Sequence, residues 1–116
     1  MHIHIAFAGK EIEPTFSAVN ALPCPKDHII LLYGRSKDKK YEQTAEMLRD
    51  KLGGGNITCR IIPVDGFDFT SVIDTIYDCY EEYISKDKST TMSIDITAGT
   101  NLMAAAACTA AFYTNS

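Results

Sequence analysis

Asp95-Ile96-Thr97-Ala98-Gly99-Thr100-Asn101-Leu102-Met103 is the stretch whose reading decides the fold. Residues 92–96 form an apolar run that reads as a buried strand, and residues 104–111 are a run of strong helix formers. A strand therefore ends in a tight Thr/Ala/Gly/Thr/Asn turn, and a helix begins at once. The first helical turn leaves about four backbone N–H groups without intrahelical partners, and the helix dipole adds partial positive charge there. Thr97, Thr100 and Asn101 surround those donors with neutral hydroxyl and amide groups. The combination fits an anion, most naturally a phosphate. It equally fits a ligand-free strand-to-helix turn, since Thr and Asn favour N-caps anyway.

Upstream, the same alternation repeats. Residues 2–8 open as a strand with Ile3, Ile5 and Phe7 apolar, closed by the turn Ala8-Gly9-Lys10-Glu11. Gly9 there lets a ligand approach the backbone, and Lys10 is either a point charge for a phosphate or a solvated loop lysine. Pro14 suits the first turn of a helix with Phe16, Val19 and Leu22 on its apolar side, stopped by Pro23-Cys24-Pro25. Residues 28–33 give a second strand, its unbroken Ile29-Ile30-Leu31-Leu32 expected when both faces are covered. The polar loop after it makes Arg35 and Ser36 secondary candidates for ligand contact.

Tyr41, Ala45, Leu48 and Leu52 mark a second helix, which Gly53-Gly54-Gly55-Asn56 ends through a left-handed glycine cap. Residues 57–64 are the third strand, with Pro63 at its last rung. Asp68 or Thr70 caps a third helix whose broad face carries Phe69, Val72, Ile73, Ile76, Tyr80, Tyr83 and Ile84. The last helix, to about Tyr113, is smooth with alanine; a second subunit or further C-terminal strands would cover the edge beside it.

Four strand–helix pairs in this order give an α/β fold, a Rossmann-like three-layer sandwich with a parallel sheet and helices on both faces. Right-handed crossovers make 3-2-1-4 the simplest strand order, and the first and fourth strands then border the switch-point crevice where open sheets bind ligands. Ala8, Gly9 and Lys10 fall at one lip of that crevice, and Thr97, Ala98, Gly99, Thr100 and Asn101 at the other.

Bulk properties bound the function. A chain of 116 residues is one small domain with a single core, and 46% hydrophobic with 22% charged residues excludes disorder. A net charge of −4 argues against broad electrostatic binding to duplex DNA, yet leaves room for a small nucleotide held by backbone donors. Cys24, Cys59, Cys79 and Cys108 are widely spaced, and three sit in apolar runs as small core residues, which fits a reduced cytosol. No apolar stretch approaches a membrane span and no signal peptide opens the chain, so a cytoplasmic protein without membrane contact is expected. His2-Ile3-His4 is either a metal pair or a strand start at the sheet rim; without further ligands, no metal and no cofactor are expected.

With the Asp95–Met103 run and Ala6-Phe7-Ala8-Gly9-Lys10-Glu11 both in view, the sequence resembles a CARF (CRISPR-associated Rossmann fold) domain, of the archaeal type that precedes a winged-helix DNA-binding domain. The family's turn typically reads Asp/Asn, aliphatic, Thr/Ser, Gly, Gly, Thr, Lys, any, Met. Here Ala98 replaces the first glycine and Asn101 the lysine. The resemblance implies a homodimer binding a cyclic oligoadenylate across its two-fold axis, with Ala8, Gly9, Lys10, Thr97, Ala98, Gly99, Thr100 and Asn101 around the ligand. It also implies a C-terminal effector, with DNA bound only through that absent domain, so that the chain is the N-terminal sensing part of a longer regulator in CRISPR defence.

Some relatives cleave the ring without a metal by orienting a ribose hydroxyl. That chemistry is positioning and charge stabilisation, so losing the lysine favours sensing without catalytic residues. A dimerisation domain without nucleotide is the bland alternative. An aspartyl phosphoryl-transfer role for Asp95 is disfavoured by its place on the fourth strand, and a dinucleotide site lacks its Gly-x-Gly-x-x-Gly.

Overall fold

A computed structural model of the chain describes residues 1–22, 27–37, 39–65, 67–96 and 101–114, the side chains of 101, 102, 112 and 113 excepted. Eight elements alternate along it. They are β1 (His2–Ala8), α1 (Glu13–Ala21), β2 (His28–Gly34), α2 (Lys40–Leu52), β3 (Thr58–Val64), α3 (Phe69–Lys86), β4 (Thr91–Asp95) and α4 (Asn101–Thr114). The four strands form one parallel sheet in the order β3-β2-β1-β4, the arrangement expected as the simplest.

Period-two alternation sorts the sheet side chains onto two faces. Ile3, Ile5, Phe7, Ile30 and Leu32 pack with Val72, Ile76 and Tyr83 of α3 and with Met103, Ala106, Ala107 and Ala110 of α4. Ala6, Ala8, Ile29, Leu31 and Tyr33 face the other way, against Val19 of α1 and Ala45, Leu48 and Leu52 of α2. Both faces of β1 and β2 are thus covered, which is why Ile29–Leu32 runs without a polar break. Truncating a side chain such as Leu48, fully buried here, costs about 2–5 kcal/mol in such a core.

Asp68 is the cap of α3: its carboxylate accepts from the Thr70 and Ser71 backbone N–H groups at 3.0 and 3.3 Å. The amino ends of the strands are stitched together by Asp27, whose carboxylate accepts from the His2 N–H at 2.8 Å while its carbonyl accepts from Thr58.

Several local expectations are corrected. β4 stops at Asp95, and Ile96 is exposed beyond it. Ile57 lies outside β3, bridged antiparallel to Gly54 in a tight turn. Gly53 caps α2 in extended backbone, φ −77°; the positive φ falls on Gly54 and Gly55, where the turn back into β3 needs it. Pro63 is the penultimate residue of β3, tolerated because β3 is an edge strand. Phe69 opens α3 exposed, and Cys108 points to solvent from α4, so only Cys59 and Cys79 of the described thiols are core or near-core residues.

Candidate functional site at the carboxyl rim

Register places the strand ends side by side. Ala6 pairs with Asp95, Ala8 with Tyr33, and Gly34 with Val64, so the loops leaving β1, β2 and β3 share one rim with the end of β4. The first turn of α4 reaches the same rim, since a Cβ added at Gly34 would meet the Met103 Cε at 3.3 Å. The ends of β1 and β4 and the start of α4 therefore converge, as the switch-point rule expects.

The individual candidates divide. Ala8 is 3% exposed and packs among the α1–α2 side of the core, so what it can offer a ligand is backbone. Gly9 is half-buried and Lys10 exposed. The Lys10 carbonyl accepts from Thr44 Oγ1 at 3.1 Å, fastening this loop to α2, and its ammonium lies 6.0 Å from the Tyr41 ring centroid. Thr97, Ala98, Gly99 and Thr100 lie outside the described residues. Asn101 is the first residue of α4, with its side chain likewise outside them.

Arg35 and Ser36 are both exposed on the loop leaving β2, where the Arg35 N–H donates to the Val64 carbonyl at 3.0 Å. They line a cavity of about 290 Å³ together with Tyr33, Lys39, Glu42 and Pro63. Four of these, Tyr33, Lys39, Glu42 and Pro63, were not candidates from sequence. Tyr33 reads as strand core, and nothing in the residue string announces that Lys39 takes a left-handed backbone at the start of α2 (φ 57°).

Lys10, Arg35, Lys37, Lys39 and Lys40 stand on the loops and helix start of this rim, interspersed with the carboxylates Glu11, Glu13, Glu42, Asp65, Asp68 and Asp95. A second cavity, of about 200 Å³ between β3 and α3, holds Arg60, whose guanidinium is already bound to Glu82 and the Tyr83 hydroxyl; those bonds hold its proton more tightly than usual.

His2 and His4 turn to hydroxyls on β4. His2 Nδ1 is 2.7 Å from Thr91 Oγ1, and Ser93 Oγ lies 2.8 Å from His2 Nε2 and 2.6 Å from His4 Nδ1. Among the described residues no group of three or more His, Cys, Asp or Glu side chains is placed to hold a metal. No helix among them is long and apolar enough to cross a membrane.

Residues 2–116 match the protein family described as HFX_2341_N:-like, N-terminal. The chain belongs to this family. Among curated proteins, none matches it. The HFX_2341_N:-like chain is similar in structure to Csm6 of Enterococcus italicus bound to cyclic hexa-2'-fluoro-hexa-dAMP, with a TM-score of 0.75 and 17% identity, over 99% of this chain and 31% of that one. It is also similar to Can2 of Sulfobacillus thermosulfidooxidans in complex with cyclic tetra-adenylate, with a TM-score of 0.62 and 15% identity, over 98% of this chain and 30% of that one. The chain spans about a third of the length of each. At these identities the likeness is one of fold: a Rossmann-like α/β domain.

Proposed function

We propose that the chain is a sensing domain that binds a cyclic oligoadenylate at the carboxyl rim and acts as a homodimer. In this reading the ring lies between the Ala8-Gly9-Lys10 loop and the Thr97–Asn101 turn of each subunit, with Arg35 and Ser36 as outer contacts. The observation that carries it is the pairing of Ala6 with Asp95, which ends β1 and β4 at one rim. The fold shared with two proteins whose structures hold cyclic adenylate rings supports the choice of ligand.

Half-buried Gly9 leaves the backbone approachable, Lys10 supplies a mobile cation, and the α4 dipole favours phosphate at its amino end. Asn101 in place of the family lysine leaves the turn without a cation of its own. We infer binding without efficient cleavage for that reason, because a metal-free ring opening depends on charge stabilisation at the phosphate. The occupied rim would then signal to an effector following the domain, a transcriptional regulator in CRISPR defence whose DNA contacts belong to that effector. The family's description as N-terminal supports a longer protein.

Calorimetric titration of the chain with cyclic tetra- and hexa-adenylate tests this. One ring should bind per two chains, and Thr100→Ala and Lys10→Ala should each weaken binding about tenfold or more. Heats absent for every ring size, or a stoichiometry of one ring per chain, would overturn it.

A further inference from the structure

The outer edge of β3 sets an unpaired backbone ladder beside a polar cavity. β3 ends the sheet, so among the described residues no strand pairs with its far side. The Thr58 N–H donates to the Asp27 carbonyl, and the Val64 carbonyl accepts from the Arg35 N–H, both toward β2. Peptide groups alternate in direction along a parallel ladder, so Thr58, Arg60, Ile62 and Val64 turn theirs to β2. Cys59 and Ile61 direct N–H and C=O outward, and Pro63 directs its carbonyl the same way. The N–H that Pro63 lacks would have pointed off the sheet, so the inner ladder is intact. Ile61 and Ile62 pack on opposite faces and are only half-buried. Such an edge is a template for another extended chain.

The cavity of about 200 Å³ between β3 and α3 takes no wall from β2, which puts it at this outer side. Within it Arg60 is bound to Glu82, and the two charges cancel. Asp78 is exposed and has neither ion pair nor hydrogen bond among the described residues. Asp74 and Glu81 stand exposed one turn away from it on α3, so the charge left over is negative. On the other face Arg49 and Asp50 pair with each other, and Cys59 and Ile61 offer apolar surface.

A strand laid along β3 sends alternate side chains to these two unlike faces. We propose that the β3 edge binds an extended peptide segment of a partner protein in which lysine or arginine alternates with apolar residues, a basic side chain entering the cavity beside Asp78. Main-chain pairing at Ile61 supplies affinity, and the alternate side chains supply specificity. The surface lies on the edge opposite β4 and does not depend on ring binding.

The end-blocked peptide Val-Lys-Val-Lys-Val, titrated into the isotope-labelled whole chain with Val-Glu-Val-Glu-Val as control, tests this. The lysine peptide should shift the Ile61 amide and slow its hydrogen exchange, while the amides of Met92 and Ile94 on the opposite edge stay still. The glutamate peptide should bind about tenfold more weakly or worse. Asp78→Asn, at an exposed position, should narrow that preference about threefold. N-methylation of the valines in one peptide and of the lysines in another should have unequal effects, since only alternate amides face the edge.

An Ile61 amide unmoved at millimolar lysine peptide, equal binding of the two peptides, or equal effects of the two methylations would overturn the proposal. Self-association of the chain through Ile61 without peptide would also overturn it, by giving the edge to a second copy. Peptide binding without ring binding contradicts only the ring proposal, and the converse contradicts only this one.

Discussion

Gly34 and Met103 meet at the carboxyl rim: a Cβ on the first would lie 3.3 Å from the Cε of the second. This contact is how the last helix, which follows an edge strand, comes to lean over the end of β2. It joins the loop carrying Arg35 to the start of α4. The atom approached is the tip of a flexible methionine, which can yield by a few tenths of an ångström. Gly34→Ala should therefore change stability by less than about 1 kcal/mol. Gly34→Leu would have to displace the α4 turn and should cost about 1–3 kcal/mol, as overpacking does. Urea denaturation of the two variants measures the difference.

Asp68 holds the start of α3 through two backbone N–H groups. Asp68→Ala should lower unfolding free energy by about 1 kcal/mol, whereas Asp68→Ser should lose only part of that. Asp68 follows β3, the edge strand farthest from β4 on that rim, so ring affinity should stay within about twofold of the parent chain.

The cysteines should react in an order set by burial. Desolvation pushes the thiols of both Cys59 and Cys79 up to about 11, and Cys79 is buried, while Cys108 is exposed. At pH 8 the fraction of Cys79 present as thiolate is about one in a thousand, and the thiolate is the nucleophile. Iodoacetamide labelling with peptide mapping should modify Cys108 well before Cys79. Comparable rates at the two positions would contradict the packing of α3 on the sheet.

Acid should loosen the turn between α3 and β4. The Ser89 hydroxyl and backbone N–H, followed by the N-terminal ammonium, bind the Asp87 carboxylate and hold it down to about 2. A carboxyl whose folded value lies below its unfolded one stabilises the fold above the unfolded value, and that contribution disappears as pH falls from about 4 to about 2. Ser89→Ala should lower the thermal midpoint at pH 7 and leave it little changed near pH 2, which flattens the fall across that window.

Much of the fold was legible because its signals are local and mutually consistent. Ile29–Leu32 announces a strand covered on both sides, Leu48 and Leu52 keep helical spacing, and the crossover rule turns four such units into the order 3-2-1-4. What escaped depends on partners distant in sequence. Tyr33 reads as one more core residue until α2 and the loop after β2 leave its hydroxyl facing a cavity. Lys39 takes a left-handed conformation more usual for glycine, in a loop where Gly34 does not need it. Cys108 looks like core inside an alanine-rich run, because a helix with small residues all round gives no periodicity to say which side is wet. Of the rim, the sequence led to the Gly9–Lys10 and Arg35–Ser36 loops lying at the same end of the sheet, but not to the cavity between the Arg35–Ser36 loop and the start of α2.

The central claim is that a cyclic adenylate is held where β1 and β4 end. Amide chemical-shift mapping of the labelled chain with cyclic tetra- or hexa-adenylate tests it most directly. The account predicts that the largest shifts gather at Gly9, Lys10 and Met103, with smaller ones at Arg35, while Asp27, Thr58 and Asp87 at the opposite rim stay still. Shifts clustered at the amino-end residues, or a spectrum unmoved by either ring, would contradict it.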